Sequence, residues 1–437
     1  MQNFLVAFNL VKKYIFICTV CLFFVPINPY ATSIINISGK NIAPIRIAIP
    51  TIASVDDSGA EIYKLIFNNL TKTNMVSFVP ANKIENLSIN KEPNFNLWKT
   101  IDAQLLTVIS VDYFEQDKYQ INVRIWDVYR NKQLDARQLT VAKAGVHHVA
   151  HIISDMLYTK IFSLKSNFDS RIAYIENQGT VYEPKNKIVI MDQDGNNICY
   201  LPTSEDLIVS PKLSPKHNFI TYFKFVNNIA KLYSLDLQNG QEELLLDDYG
   251  IGFSQAISSD NQRMLVSIFD EWNGSNIYEL DLLTKRKRQL TFSIYNDISP
   301  FYSPDGKYIV FSSDLNGGQD LYVMNSHGKG LTRISKNAGE YFKPVWSPNG
   351  DLIAFIYKND INIALATMKP NGTAMKILSI AEHIDGASFS PNGQEIIFTK
   401  WLDGTPHLYK IDISGHNETL INTPNVAQDA DWSYYLH

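Results

Sequence analysis

The chain has 437 residues, a formal net charge of −5, 19% charged side chains and 12% aromatic ones. That is an ordinary soluble composition, long enough for at least two domains. There is no basic excess to attract a polyanion, so nucleic acid is excluded as a partner.

Met1 to Ala31 reads as a secretory signal peptide. Lys12 and Lys13 form a positive start, and Tyr14 to Val25 is an apolar run too short to span a bilayer. Pro26 and Pro29 then break any helix before the small residues Ala31, Thr32 and Ser33. An uncleaved anchor is the alternative; Val20 before Cys21 is too large for a lipoprotein site. Cleavage near Ala31 removes Cys18 and Cys21, leaving only Cys199 and no internal disulfide. Losing Lys12 and Lys13 takes the net charge from −5 to −7, so no direct membrane insertion is expected of the mature chain.

Residues 32–166 carry no repeat and mix two periodicities. Thr32 to Ala43 is a polar, glycine-containing stretch expected to be a flexible N-terminal segment. Ile45 to Pro50 predicts a strand, and Ala60 to Leu70 places Ile62, Leu65, Ile66 and Leu70 on one helical face. Leu105 to Val111 predicts a buried strand, Gln120 to Tyr129 its hairpin partner, and His147 to Leu164 a second helix. The expectation is an N-terminal α/β domain, joined to the remainder of the chain through Lys165-Ser166-Asn167.

Residues 167–437 repeat. A turn serine recurs at Ser214, Ser258, Ser303, Ser347 and Ser390, at intervals of 43 to 45 residues, and most copies continue as Pro-Asp/Asn-Gly. Proline presets φ and glycine accepts positive φ, so each copy writes in a tight turn. Alternating runs such as Tyr308 to Phe311 and Leu321 to Met324 supply the strands. Four short strands per period of this length predict the blades of a β-propeller. Arg171 to Ile175 resembles a second strand without a first, and Asp429 to Ser433 a first strand without a second. Paired, they complete a sixth blade, giving an all-β six-bladed β-propeller closed by the C-terminal strand.

Strand alternation places the loops leading into each first strand on one face and the Pro-Asp-Gly turns on the other. Arg171 begins a second strand, so the N-terminal domain attaches on the Pro-Asp-Gly face. The opposite rim carries Tyr249, Ile251, Asn296, Asp297, Ile298, Glu340, Tyr341, Phe342, His383, Ile384, Asp385, Gln428 and Asp429. Aromatic and Ile side chains ringed by acids predict a protein-docking surface. The competing reading has these residues plugging the central channel.

Two motifs invite a metal reading. His147 and His151 stand four apart on a helix, but no further ligand has obvious spacing, and His151 is expected to pair with Asp155 one turn on. Asp192-Gln193-Asp194-Gly195-Asn196 looks like a calcium loop but lacks the distal Glu, and it falls where every blade has a turn. Neither alone supplies a metal site, and no cofactor is expected.

The passage Ala150-His151, Ser154-Asp155, Tyr158, Phe168 and Arg171 to Ile175 resembles the domain junction of the TolB family. Trp98 with Ile101-Asp102-Ala103 is similar to the family's Trp-to-strand segment, and the Ser-Pro-Asp/Asn-Gly blades match throughout. The resemblance implies a TolB-like fold and a non-enzymatic periplasmic adaptor of the Tol-Pal system, acting in outer-membrane invagination at division and in envelope integrity. It implies binding of the lipoprotein Pal through the propeller and of TolA through the mature N-terminus. Here that segment carries Thr32, Ile34, Ile35, Ile37, Gly39 and Ile42. Other outer-membrane proteins are further candidate partners, and a monomer is expected. Ile251 and Ile298 depart from the polar residues usual in relatives.

The rival is a metal-dependent propeller hydrolase of lactonase type, with Asp297, Glu340, Asp385 and Asp429 at comparable lead-in positions. One acid per blade spreads them round a ring rather than onto one ion. A peptidase propeller is disfavoured, because the chain lacks a Gly-x-Ser-x-Gly elbow.

Overall fold

The computed structural model describes residues 43–81, 87–179, 185–203, 207–215 and 219–434. The leader and nearly all of the segment from Thr32 to Ala43 lie outside the described residues.

The N-terminal sheet contains β1 (Ile45–Ala48), β2 (Ala53–Ser54), β3 (Val76–Phe78), β4 (Leu105–Glu115), β5 (Lys118–Asp127) and β6 (Lys132–Ala142). The order is β3-β1-β4-β5-β6, with β2 also pairing β4. Because side chains alternate along a strand, β1 feeds two cores. Ile47 packs beneath α1 (Ser58–Thr71), with α2 (Phe95–Thr100) and α3 (Val146–Phe162) later in the chain. On that face Ile62, Leu65, Ile66 and Leu70 meet Val149, Ile153 and Leu157 of α3. Ala48, on the other face, joins Leu106, Trp126 and the fully buried Trp98 of α2. Both cores bury β4, so its first seven residues are solvent-free on both sides. β6 is mostly exposed at the sheet edge, and its sparse apolar residues hid it from the sequence reading.

The propeller has six four-stranded blades. Their innermost first strands are Ile208–Leu213, Ile251–Ile257, Ile298–Tyr302, Glu340–Trp346, Ile384–Phe389 and Val426–Tyr434. The last belongs to blade six, whose other strands are Ser170–Asn177, Asn186–Asp192 and Cys199–Tyr200. Closure is antiparallel, with Trp432 opposite Ile172 and Asp431 opposite Ala173. Asp431 takes hydrogen bonds from Lys212 Nζ (2.8 Å) and the Leu213 N–H (2.9 Å) in blade one, and from Ser388 Oγ (3.2 Å) in blade five. One carboxylate thus ties the closing blade to both neighbours.

The recurrent serine has a local physical cause. Ser303 Oγ accepts the Tyr308 N–H at 2.9 Å and donates to Asp305 at 2.6 Å, while Gly306 sits at φ +70°. The same bonds recur at Ser258 with Arg263 and Asp260, and at Ser390 with Glu395 and Asn392. All five turn serines are buried, and at Ser258, Ser303, Ser347 and Ser390 the hydroxyl satisfies a turn amide that water does not reach, while Ser214 Oγ accepts from Asn261 Nδ2. Accepting these bonds holds the Asp260 and Asp305 carboxyls below their usual range.

Second strands present an aromatic at one register position: Tyr174, Tyr222, Phe311, Phe355 and Phe398, none more than 1% exposed. These fill the seams between blades, which is how adjacent twisted sheets close-pack. Every first strand carries a bulge or register shift. In five it falls at a positive-φ residue: Ser210, Ser299, Lys343, Gly386 and Asp429. Bulges tighten twist and re-aim side chains, here toward the channel wall.

Candidate partner-binding rim and domain junction

The N-terminal domain touches the Ser-Pro face. Asn167 Nδ2, in the connection from the N-terminal domain, donates to Glu395 just beyond the Pro391-Asn392-Gly393 turn (2.8 Å), and within the closing blade Trp432 Nε1 donates to Ser170 Oγ (2.9 Å). The Asp155 carboxylate accepts the N–H groups of Phe168 (3.0 Å) and Asp169 (3.1 Å), fixing the connection between domains. Burial outweighs those bonds and pushes its pKa up from 3.8 to about 6. Asp155 is therefore a linker clamp, and the expected pairing with His151 is not made.

His151 instead faces the propeller. Its Nε2 lies 3.7 Å from both Asp192 Oδ2 and Asp194 Oδ2, and its Nδ1 is 3.0 Å from the Asn69 side-chain amide. Burial makes the imidazole harder to protonate and the Asp192 carboxyl harder to ionise. Neighbouring His147 pairs with Glu61 (2.6 Å) and His148 with Asp169 (3.0 Å).

The opposite rim corrects part of the sequence reading. Tyr341 is fully buried, its ring against Phe355 and Tyr357 and its hydroxyl on the Asn337 carbonyl at 3.2 Å. Ile251, 5% exposed, fills the blade-two core, and Ile384 is buried too. Expected as exposed anchors, these residues lie inside the first strands, where alternation turns them inward. Asp297 is also buried and accepts from Ser293 Oγ (2.9 Å), while the half-buried Ile298 starts its strand. Phe342 is half-buried.

Other expected residues remain at the surface. Tyr249 is 72% exposed, and His383 is exposed with its ring edge-on to Trp401. Asn296 is clamped by Asp314 through its backbone and side-chain amides (2.8 and 2.7 Å). The four ring acids are separately engaged. Glu340 pairs with Lys358 and Asp385 with Lys343, Asp429 accepts the Ser210 N–H, and Asp297 accepts from Ser293 as above. Among the described residues no three of these acids converge as ligands for one ion.

Sequence reasoning missed large exposed side chains on this rim, among them Trp272 (86% exposed), Phe292 (80%) and Ile294 (73%). Trp272 tips the hairpin between the second and third strands of blade two, held up by Asp270, which accepts the Trp272 N–H at 2.9 Å. The loop leading into blade three lies against that hairpin. Asn276 Nδ2 donates to the Ser293 carbonyl, and a Cβ on Gly274 would stand 2.5 Å from the Tyr295 carbonyl. Phe269 N–H donates to the Gly250 carbonyl (2.8 Å), bringing Tyr249 alongside. The signal was available: Trp at the tip of a turn, where polar residues usually stand.

Beneath the rim the channel is lined by residues that include Phe253, Phe301 and Lys343. At the Ser-Pro end it opens into a cavity of about 250 Å³ lined by Pro215, Pro304, Pro348, Pro391, Trp346 and Trp432.

Comparison with known proteins agrees with this architecture. A family model described as the TolB amino-terminal domain matches residues 33–134, and one described as the TolB beta propeller domain matches residues 158–436. The Tol-Pal system protein TolB of Gluconobacter oxydans (strain 621H) is 32% identical over 398 residues, 89% of this chain and 86% of that one. The crystal structure of TolB from Acinetobacter baumannii superposes with a TM-score of 0.74 at 24% identity, covering 90% of this chain and 97% of that one. A chain of a nidogen/laminin complex shares the fold more distantly, with a TM-score of 0.51 at 8% identity over 61% of this chain and all of that one. The chain belongs to the TolB family of Tol-Pal system proteins.

Proposed function

We propose that this chain is a non-enzymatic periplasmic adaptor of the Tol-Pal system. It captures the lipoprotein Pal on the rim of blades two and three, and it recruits TolA through the segment from Thr32 to Ala43. The observation that carries the reading is the exposure of Tyr249, Trp272, Phe292 and Ile294 on adjoining loops of the face opposite the N-terminal domain. Large aromatic side chains left in water are energetically expensive to keep unless a partner covers them, and such residues dominate protein interfaces. Family membership supplies the system, and the signal-like leader supplies the compartment. In cells this adaptor would serve outer-membrane invagination during division and envelope integrity.

The test is capture of the soluble Pal domain by Trp272→Ala with Phe292→Ala. Removing two exposed anchors should weaken binding by about 2 kcal/mol or more, roughly 30-fold in Kd, with the melting temperature unchanged. Unaltered capture would defeat the rim assignment. Deleting Thr32 to Ala43 should abolish TolA pull-down while leaving Pal capture intact.

A further inference from the structure

Two motifs that carry nothing separately are brought together by the docking of the domains. His151 comes from α3, and Asp192 and Asp194 from the turn between the third and fourth strands of blade six. We propose that His151 Nε2 and the Asp192 and Asp194 carboxylates form a site for one divalent transition-metal ion, zinc by donor set, that staples the N-terminal domain to the propeller.

The geometry is that of a three-ligand site. The three donor atoms lie within 4.8 Å of one another, with Nε2 3.7 Å from each carboxylate oxygen. At 3.7 Å neither contact is a hydrogen bond, and Nε2, on a residue only 2% exposed, has no hydrogen-bond partner among the described residues. Zinc binds imidazole and carboxylate at about 2.0 to 2.2 Å. Tetrahedral angles then put ligand atoms roughly 3.3 to 3.6 Å apart, a few tenths of an ångström less than the two His151 contacts, while the carboxylate oxygens, within 4.8 Å of each other, close by up to roughly 1.5 Å. One imidazole with two carboxylates suits zinc better than calcium or magnesium, which take mainly oxygen ligands in larger number. Two buried carboxylates also concentrate negative charge that a divalent ion offsets.

Supporting contacts orient all three ligands. The Asn196 N–H donates to Asp194 Oδ1 (3.1 Å) and its Nδ2 to Asp194 Oδ2 (2.9 Å), Asn197 Nδ2 donates to Asp192 Oδ2, leaving each ligand oxygen a second lone pair, and Arg171 lies 3.5 Å from Asp192 Oδ1. His151 Nδ1 meets Asn69, which also contacts Ser154 Oγ at 3.0 Å. To present the Nε2 lone pair to a cation, Nδ1 carries the proton and Asn69 turns its amide oxygen toward it; Ser154 Oγ, which here donates to the Ala150 carbonyl at 2.7 Å, redirects its proton to that oxygen. Asn69 is thus a positioning residue.

The test titrates chelator-treated mature protein with zinc sulfate by calorimetry and collects anomalous diffraction at the zinc edge from soaked crystals. One ion per chain is expected, with its anomalous peak between His151, Asp192 and Asp194 and a raised melting temperature. Asp194→Asn and His151→Gln should each weaken binding at least 100-fold, and Asn69→Ala about 10- to 100-fold. The metal-free melting temperature of Asp194→Asn should match wild type, separating lost binding from lost folding. No stoichiometric binding to wild type, unchanged affinity in Asp194→Asn, or a peak at His147 or His148 instead would each overturn the proposal.

Discussion

The two faces of the propeller are built from the two ends of the same strands, yet they differ in kind. On the Ser-Pro face, turn after turn repeats one hydrogen-bonded device, a buried serine hydroxyl receiving an amide across a Pro-Asp/Asn-Gly corner. The N-terminal domain rests on that side through Asn167 and His151. On the opposite rim the loops share neither length nor sequence, and Trp272, Phe292 and Ile294 stand out into solvent. Repetition marks the end that holds the ring together, and irregularity marks the end free to evolve a partner.

This contrast can be broken from either side, and the largest effect should come from the ring itself. Removing Asp429 to His437 deletes the strand whose Asp431 bridges blades one and five, and should cost on the order of 5 kcal/mol or more. A truncated chain with the wild-type melting temperature would refute the closure.

Next comes Tyr341→Ala, which tests whether a lead-in residue serves the core or the rim. Its ring is wholly buried against Phe355 and Tyr357, so chemical denaturation should show a loss of about 3 to 5 kcal/mol. A stable variant that fails only to capture Pal would return Tyr341 to the interface.

Asp155 gives a pH signature. Its folded pKa of about 6 lies above the unfolded 3.8, so its stabilising contribution is complete below pH 3.8 and is lost as pH rises through 6. The difference between wild type and Asp155→Asn should therefore shift by on the order of 2 kcal/mol between about pH 4 and pH 7, in favour of wild type at the acid end. A pH-independent difference would show that the carboxyl is not raised.

Smallest is Ser303→Ala, which leaves the Tyr308 N–H without its acceptor and should cost about 1 kcal/mol by thermal melt, with Pal affinity untouched. A loss of Pal affinity there would erase the distinction between the faces.

These contrasts also explain what was legible in the sequence. The blade count and the closure through Trp432 could be read because the turn serine and its strands recur at near-constant spacing. Tyr341 and Ile251 were misread because a lead-in loop and the first residues of a strand look alike in sequence, while one position decides whether a side chain faces core or water. β6 escaped because an exposed edge strand carries no clean alternation. The meeting of His151 with Asp192 and Asp194 was invisible, since it depends on how two domains dock.

The most direct measurement is amide hydrogen exchange of this protein with and without saturating Pal. The account predicts slowed exchange in residues 247–254, 270–274 and 291–297, with the Ser-Pro turns at 303–306 and 390–393 unchanged. Protection confined to those turns, or to the N-terminal domain, would contradict it.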